Sequence, residues 1–268
     1  MQRLLMFAAA CAFSAGCMSD NTVDLSLTRL DCGSAPEPSN VSRFSDAYDY
    51  RDTKIQFTYS CYLIKHGENY LMWDAGNPDD GSPRAPQKNL VTLLGELNIK
   101  PNQIDYLALS HYHGDHIGQS YLLPNATLLV GQGDWDALSG QVPNRMANAA
   151  PIKHWVDGNG KVDVVAKDKD IFGDGTVIML GMPGHTPGHS ALLVKLKTMG
   201  YVLLSGDLAH FHENYDNERV PSFNTNRADT LASFDRFKDI AKNLNATVII
   251  QHDARDIDKL PSFPQAAR

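Results

Sequence analysis

The chain has no cluster of basic residues. Its 268 residues include 24 lysines and arginines against 31 aspartates and glutamates, a formal net charge of −7 with histidine neutral. Because proteins bind phosphate backbones through clustered cationic side chains, this balance argues against nucleic acid as a partner. The length allows one domain, and a hydrophobic content of 43% allows a substantial core.

Long apolar runs are also missing, apart from one at the N terminus. Residues 4–15 follow Arg3 and are too short to span a bilayer as a mature helix, as is typical of an export signal. The next residues, Ser14-Ala15-Gly16-Cys17, resemble a bacterial lipoprotein cleavage box, although leucine is usual where serine stands. Ordinary cleavage after Gly16 is the alternative.

These features divide the chain into three parts. We predict a signal peptide of lipoprotein type at residues 1–16, a polar tether at 17–22 and a single folded domain at 23–268. The mature protein is expected to be exported to the periplasm, with Cys17 as a candidate lipid anchor. The sequence does not indicate an oligomeric state.

Cysteine is scarce. Of four cysteines, Cys11 belongs to the signal and Cys17 is the candidate for acylation, which leaves Cys32 and Cys61 in the domain. An oxidising compartment permits a disulfide between these two. Two separate buried thiols are the alternative, because the sequence does not show whether their Cα atoms come close.

Against these absences stands one dense motif. The run His111-Tyr112-His113-Gly114-Asp115-His116 places three imidazoles and a carboxylate in six residues, directly after the apolar segment 106–109. Imidazole nitrogen and carboxylate oxygen are donors for divalent metals. Donors at the tip of a buried strand are rigidly held and open to solvent on one side, as a catalytic metal requires.

One such motif supplies at most four donors, so further donors are expected elsewhere. Three more candidates, His185, Asp207 and His252, each follow a short apolar run, at residues 178–180, 202–204 and 248–250. A lone histidine after a strand is usually only a hydrogen-bonded polar group, but here each falls where a matching element is expected. The remaining histidines receive weaker interpretations: His189 a turn partner or supporting residue, His210 and His212 close to the site, His66 and His154 on the surface.

Together these residues resemble the metallo-β-lactamase superfamily. The resemblance rests on Trp73-Asp74-Ala75-Gly76, the motif at 111–116, Pro183-Gly184-His185-Thr186, Gly206-Asp207 and His252. It implies an α/β fold, an αβ/βα sandwich of two packed mixed sheets with outer helices. It also implies a site for two divalent ions, with zinc the expected metal and iron, cobalt or manganese the alternatives. Its ligands would be His111, His113 and His185 for one ion, Asp115, His116 and His252 for the other, and Asp207 between them.

Within the superfamily the chain looks most like the N-acyl-homoserine lactone lactonases, which open a lactone ring and so quench quorum sensing. The resemblance includes Cys61-Tyr62-Leu63, the run 185–189 and the segment from Asp207 to Asn214. Two positions depart from that pattern. His210 stands where these enzymes often carry a substrate-binding tyrosine, and Gly114 replaces a bulky aromatic residue.

The resemblance implies a small acyl lactone as substrate and catalytic roles for Asp115, Asp207 and His210. Asp115 would shuttle a proton, Asp207 would fix the metal spacing, and His210 would donate a hydrogen bond to the developing oxyanion. The alternatives are another ester such as an aryl ester, an organophosphate or a glutathione thioester, a β-lactamase, which Asp207 disfavours, and a non-catalytic metal-binding lipoprotein. Phe211 and Tyr215 are candidate pocket residues from their closeness to Asp207.

Periodicity predicts the supporting elements. Leucines at 90, 93, 94 and 97 indicate an amphipathic helix, and apolar residues from Leu231 to Leu244 indicate a longer one, capped by Asn226 or Asp229. Residues 77–86 and 139–155 are expected to form loops around the site. Asp74 has two interpretations, a carboxylate that orients a ligating histidine or a simple turn aspartate.

Overall fold

The computed structural model describes residues 23–142 and 144–268. The predicted signal peptide, the tether and Cys17 lie outside these residues. Within the described ranges, none of the helices combines the length and the apolar character that a bilayer crossing requires.

Two sheets form the centre of the fold. The first has the strand order β1-β4-β5-β6-β7-β8, the second β13-β12-β11-β10-β9, and β2 pairs only with β3. The strands are β1 Leu25–Ser34, β2 Ser39–Asn40, β3 Lys54–Ile55, β4 Thr58–His66, β5 Asn69–Trp73, β6 Tyr106–Ala108, β7 Thr127–Gly131, β8 Val162–Val165, β9 Lys169–Asp170, β10 Val177–Gly181, β11 Ser190–Leu196, β12 Gly200–Leu204 and β13 Thr247–Ile249.

Both sheets are mixed. In the first, β1, β4 and β5 are antiparallel and β5 to β8 are parallel. In the second, β9 to β12 are antiparallel and β13 is parallel to β12. Strands β10, β12 and β13 therefore run in one direction, so their carboxyl ends meet at one edge of that sheet.

Helices cover the outer faces. They are α1 Leu90–Glu96, α2 Gly114–Ile117, α3 Gln132–Leu138, α4 Lys153–Val156, α5 His212–Asp216 and α6 Arg227–Asn243, with short 3-10 turns at Ser42–Phe44, Pro101–Gln103, Ser120–Leu122, Ala150–Ile152, Gly206–Leu208 and Ala254–Lys259. The predicted helices near residues 90 and 231 are both present. Asn226 caps α6, its side chain accepting from the amides of Ala228 and Asp229.

Alternation of side chains along the strands produces three apolar layers. Leu71 and Trp73 of the first sheet pack against residues such as Leu192 and Val194 of the second. On the outer face of the first sheet, Met72 packs with α1. On the outer face of the second sheet, Leu193, Leu203 and Leu180 pack with Phe234 and Phe237 of α6. The αβ/βα sandwich expected from the resemblance is confirmed.

Cys32 and Cys61 form a disulfide that joins β1 to β4, with Cα atoms 5.8 Å apart. Of the two alternatives left open by the sequence, the structure has the bond. The cystine lies in the apolar layer under α1. It also lies beside the turn after β5, where the Asn77 amide donates to the Cys32 carbonyl at 3.2 Å.

Candidate metal centre

The motif at 111–116 lies at the carboxyl end of β6. His111 is fully buried directly beyond the strand, and His113 precedes the single turn α2, which carries Asp115 and His116. The turn of α2 places Asp115 and His116 beside the first pair, with the His116 ring 4.1 Å from the His111 ring. The sequence spacing thus separates the motif into two pairs of donors.

The second sheet supplies the remaining donors from its own carboxyl edge. His185 follows β10, Asp207 follows β12 and His252 follows β13, and each is buried. The backbone at Gly206 has φ +53°, and a Cβ atom there would lie 2.6 Å from His189 Nε2. Only glycine tolerates this combination of a left-handed conformation and a close approach, so Gly206 allows the turn that presents Asp207.

The structure brings all seven predicted donors together in two groups. His111, His113, His185 and Asp207 form one group, and Asp115, His116 and His252 form the other. Within each group the potential ligand atoms lie within 4.8 Å of one another. Three or four nitrogen and oxygen donors at this spacing match what a divalent ion needs.

Asp207 lies between the two groups. Its Oδ1 atom is 2.8 Å from Nε2 of His252 and 3.1 Å from Nε2 of His116. Its Oδ2 atom is 3.5 Å from Nε2 of His111 and 3.4 Å from Nε2 of His185. Each carboxylate oxygen therefore faces one group, which is the arrangement a bridging ligand requires.

Two further observations indicate that these residues fit a pair of cations. Oδ1 of Asp207 is buried and has no hydrogen-bond partner among the described residues. Ring nitrogens also face each other closely: Nε2 of His111 lies 2.9 Å from Nδ1 of His113, and Nε2 of His116 lies 3.1 Å from Nε2 of His252. Nitrogens that converge on one another and on an unsatisfied carboxylate oxygen are readily explained by a cation held between them.

The electrostatics favour a receptive site. Burial lowers the pKa of His111 well below its usual value, and the neighbouring His116 adds to this effect. Burial likewise lowers the pKa of His113 to about 3. Burial opposes ionisation of Asp207, but the imidazoles of His252 and His116 outweigh it and hold that pKa well below its usual range. At neutral pH His111 and His113 are therefore neutral and Asp207 is ionised, the states in which they bind metals.

Asp74 supports the site from behind. Its Oδ2 atom lies 2.9 Å from Nδ1 of His116 and accepts from Gln251 Nε2 at 3.0 Å, while Oδ1 accepts from the Ser110 amide at 2.7 Å. The residue also occupies a turn, with φ +62°. Both interpretations of Asp74 hold, since this turn aspartate orients the imidazole of His116. Burial opposes protonation of His116, but Asp207 and Asp74 outweigh it and raise the His116 pKa well above its usual value.

His189 supports the site too. Its Nε2 atom accepts from the Asp207 amide at 2.9 Å, and its Nδ1 atom lies 2.8 Å from the Met182 carbonyl oxygen. Nδ1 of His252 is held by the Thr58 carbonyl at 2.9 Å, and Nδ1 of His185 by the Asn224 side chain at 2.9 Å. These contacts, made by the ring nitrogen on the side away from the centre, fix which nitrogen of each imidazole faces the centre.

Sequence reasoning missed Asp134. This buried carboxylate accepts from the Tyr112 amide at 3.1 Å, the Thr186 hydroxyl at 2.8 Å and the Gly188 amide at 2.7 Å. It therefore joins the loop after β6 to the loop after β10. Burial raises the pKa of Asp134 to about 7 and outweighs these hydrogen bonds, which lower it. Its position just after β7, at the same sheet edge as the motif, was the available signal.

The other histidines have separate roles. Nε2 of His210 lies 3.1 Å from Oδ2 of Asp207, and its ring stacks on His252 with centroids 5.9 Å apart. His212 instead turns outward and pairs with Asp256 at 2.6 Å. His66 is not a simple surface residue, because it stacks on Phe172 at 4.0 Å and pairs with Asp174. His154 is half-buried, with its ring against Trp155.

A cavity of about 770 Å³ opens over the donors. Apart from the donors, its walls are Ser39, Asn40, Arg43, Phe44, Phe57, Tyr59, Asn77, Pro78, Arg84, Gly114, Met146, His210 and Phe223. Both predicted loops contribute, 77–86 through three residues and 139–155 through Met146. No atom lies within 4 Å of where a Cβ on Gly114 would stand, so an aromatic side chain there would project into open space.

The prediction that Phe211 and Tyr215 line the pocket was wrong. Phe211 is fully buried with its ring 5.1 Å from Tyr50, and Tyr215 packs on Phe237 at 6.0 Å. The backbone at Phe211 is extended. Neighbouring side chains on an extended backbone face opposite sides, so His210 faces the cavity and Phe211 faces away from it.

The comparisons with known proteins agree with this geometry. The family model of the metallo-beta-lactamase superfamily matches residues 56–252. An N-acyl homoserine lactonase AttM of Azorhizobium caulinodans is 30% identical over 229 residues, covering 76% of this chain and 84% of that protein. The AttM of Rhizobium radiobacter is 32% identical over 229 residues, covering 75% of this chain and 85% of that protein. A crystal structure of a quorum-quenching N-acyl homoserine lactone lactonase superposes with a TM-score of 0.76 at 23% identity, covering 90% of this chain and 97% of that one.

Replacing Asp74 should weaken one metal site selectively. Asp74→Ala removes the carboxylate that orients His116, and loss of such a partner typically costs about 10- to 100-fold in metal affinity. We expect the ion at the His116 group to be lost first when the protein is dialysed against a graded chelator. Metal-to-protein ratios measure this. Asp105→Ala removes an exposed carboxylate that bonds only the Tyr70 amide and serves as the control. Equal retention of both ions in Asp74→Ala would contradict the assignment.

Proposed function

Because the chain belongs to the metallo-β-lactamase superfamily, we propose that it is a dimetal hydrolase that opens the ring of N-acyl-homoserine lactones. The observation that carries this proposal is Asp207, whose two carboxylate oxygens face two separate groups of donors. The curated relatives that cover about three quarters of the chain are named as N-acyl homoserine lactonases. The cavity over the donors is large enough for a lactone with an acyl chain.

Zinc is the proposed metal, because the donor set is rich in imidazole. When bound, two such ions would supply a hydroxide nucleophile at neutral pH and polarise the lactone carbonyl. His111, His113 and His185 would hold one ion, Asp115, His116 and His252 the other, and Asp207 both. This chain's contribution is to fix the spacing of these donors and to manage the protons.

Asp115 is placed to move a proton. It is the most exposed of the donor carboxylates, with 30% of its side chain accessible against 5% for Asp207. Burial opposes its ionisation, but the imidazoles of His116 and His252 outweigh it and hold the Asp115 pKa below its usual value. As the ring opens, Asp115 would carry the proton of the hydroxyl that has added to the carbonyl carbon to the departing ring oxygen, so that the product has a carboxylate and a hydroxyl group.

His210 is placed to stabilise the negative charge that develops on the carbonyl oxygen. Its ring lines the cavity, and burial lowers its pKa, so the imidazole is neutral. Its Nδ1 atom is buried without a hydrogen-bond partner among the described residues, whereas Nε2 faces the reaction centre beside Asp207. With its proton on Nε2, His210 would donate to the oxyanion in the way proposed for the tyrosine of related lactonases.

The reaction class can be tested by metal removal and by Asp207→Ala. Chelation should abolish ring opening of N-hexanoyl-homoserine lactone, and added zinc should restore it. Asp207→Ala should lower bound metal and turnover by at least about 100-fold, because loss of a supporting residue alone costs about 10- to 100-fold. Asp216→Ala removes an exposed carboxylate outside the site and is the control.

Metal analysis of the same samples identifies the ion. A metal-depleted protein that opens lactones at the normal rate would contradict the mechanism. Faster turnover of aryl esters, an organophosphate or a chromogenic cephalosporin than of any lactone would instead favour one of the other hydrolase activities. Tight metal binding without turnover of any of these substrates would favour a metal-binding protein.

The role of His210 predicts a loss of turnover without loss of metal. His210→Phe should lower kcat by about 100-fold or more, the usual cost of removing one oxyanion donor. His210→Tyr should remain within about tenfold of the wild type, since a phenol also donates. His212→Phe changes the half-exposed neighbour that faces Asp256 and should have little effect. An unchanged kcat in His210→Phe, with full metal content, would remove His210 from the scheme.

We also propose that the mature protein is exported and anchored by a lipid on Cys17. The Cys32–Cys61 disulfide supports export, because such bonds persist in oxidising compartments. The intact mass of the protein purified from the source cells' membrane fraction tests the anchor. A chain that begins at Cys17 and carries acyl groups is expected. An unmodified chain that begins at Cys17 would establish export without the anchor.

A further inference from the structure

The outer part of the cavity carries a positive charge that the reaction does not use. The carboxylates on its walls are the two donors Asp115 and Asp207, which bound metal ions would neutralise. The cationic side chains on its walls are Arg43 and Arg84. This is a local reversal of sign, because the chain as a whole carries a net charge of −7.

Neither of these guanidinium groups is paired with a carboxylate among residues 23–142 and 144–268. Five of the ten arginines in the same part of the chain are paired: Arg219, Arg227, Arg236, Arg255 and Arg268 each form an ion pair with aspartate or glutamate. An arginine presents several donors in a fork that matches the two oxygens of a carboxylate. Two unpaired forks at one cavity mouth therefore provide a receptor for an anion.

Arg43 is held in place by aromatic rings. Its guanidinium lies 4.8 Å from the ring centroid of Phe223 and 5.6 Å from that of Phe44. Its backbone carbonyl accepts from the Ser222 amide at 2.9 Å, which ties the two loops together. The Phe223 ring in turn lies 5.9 Å from the ring of His185. One aromatic ring thus separates the cation from the metal donors.

Arg84 lies on the loop 77–86, between Pro83 and Pro86, which restrict the backbone. Tyr59 also faces the cavity and is 3% exposed, with its ring 5.0 Å from His252. Its hydroxyl has no hydrogen-bond partner among the described residues and is free to donate. A third donor thus lies deeper in the cavity than the two arginines.

We propose that this outer part of the cavity, defined by Arg43, Arg84 and Tyr59, binds a carboxylate at the far end of the substrate's acyl chain. The proposal rests on the function proposed above and specifies its substrate class, an acyl lactone whose chain is short and ends in an anion. The rings of Phe44, Phe57 and Phe223 provide apolar contact for the methylene groups, and the arginines receive the charge.

A long apolar acyl chain fits this cavity less well. Its end would lie against two guanidinium groups and remove water from them without offering a hydrogen-bond acceptor, which is unfavourable. A terminal carboxylate replaces that water with charge-assisted hydrogen bonds. Both arginines are exposed, so each contact should contribute modestly and depend on salt.

A matched pair of substrates tests the proposal on the metal-loaded protein. N-hexanoyl-homoserine lactone and its N-adipoyl counterpart differ only in that a carboxylate replaces the terminal methyl group. The wild type should prefer the adipoyl substrate in kcat/KM by about three- to tenfold at low salt, and the preference should shrink at about 0.5 M salt. Arg43→Gln/Arg84→Gln should abolish this preference, measured as the ratio of the two kcat/KM values, mainly by lowering kcat/KM for the adipoyl substrate. Arg51→Gln, which changes an arginine over Tyr48 outside the cavity, should retain it.

The outcomes separate this proposal from the proposed function. Turnover of the hexanoyl substrate without an adipoyl preference, or equal losses on both substrates in the double variant, would overturn the carboxylate subsite and leave the lactonase proposal standing. Absence of turnover on both would overturn the lactonase proposal.

Calorimetry with the corresponding N-acyl lactams, which resist ring opening, then tests the subsite alone. Tighter binding of the adipoyl lactam that depends on the two arginines supports the subsite, and equal binding overturns it.

Discussion

The centre depends on one buried carboxylate. Asp207 lies among five imidazoles, and its two oxygens face different donor groups. Burial opposes protonation of His116 and His252, but the charge of Asp207 raises the pKa of both. Without cations, the site would place converging ring nitrogens beside an unsatisfied oxygen in a buried environment, which is costly. The fold tolerates this arrangement because both sheets, packed through an extensive apolar layer, hold the donors rigidly at one edge.

The supporting residues join the two sheets at that edge. Gln251, from the second sheet, accepts from the Trp73 indole and the Gly206 amide and donates to Asp74 of the first. Asp134 makes the equivalent connection on the other side of the centre, to the loop that carries His185. The geometry of the donors is therefore a property of the interface between the sheets and belongs to no single loop.

The sequence predicted which seven side chains converge, because they follow short apolar strands whose carboxyl ends lie at one edge of the two packed sheets. It also predicted α1 and α6, whose apolar spacing is regular. It did not predict the cavity walls, since Arg43 and Arg84 come from segments without a periodic pattern, and only tertiary packing brings them beside Tyr59 of β4. The same limit explains the error at Phe211, where closeness in sequence to Asp207 gave no information about which way the side chain faces.

The cystine has a consequence for where the protein can mature. Cys32 is bonded to β4 through Cys61 and contacts the turn at Gly76, whose neighbour Asp74 orients His116. The disulfide thus supports the turn that carries Asp74, and Asp74 in turn orients His116, which lies 42 residues later in the sequence. A molecule folded in a reducing cytosol would lack this brace. Rigidity at the His116 group therefore depends on oxidising conditions during folding, and reduction of the cystine would loosen the turn that carries Asp74.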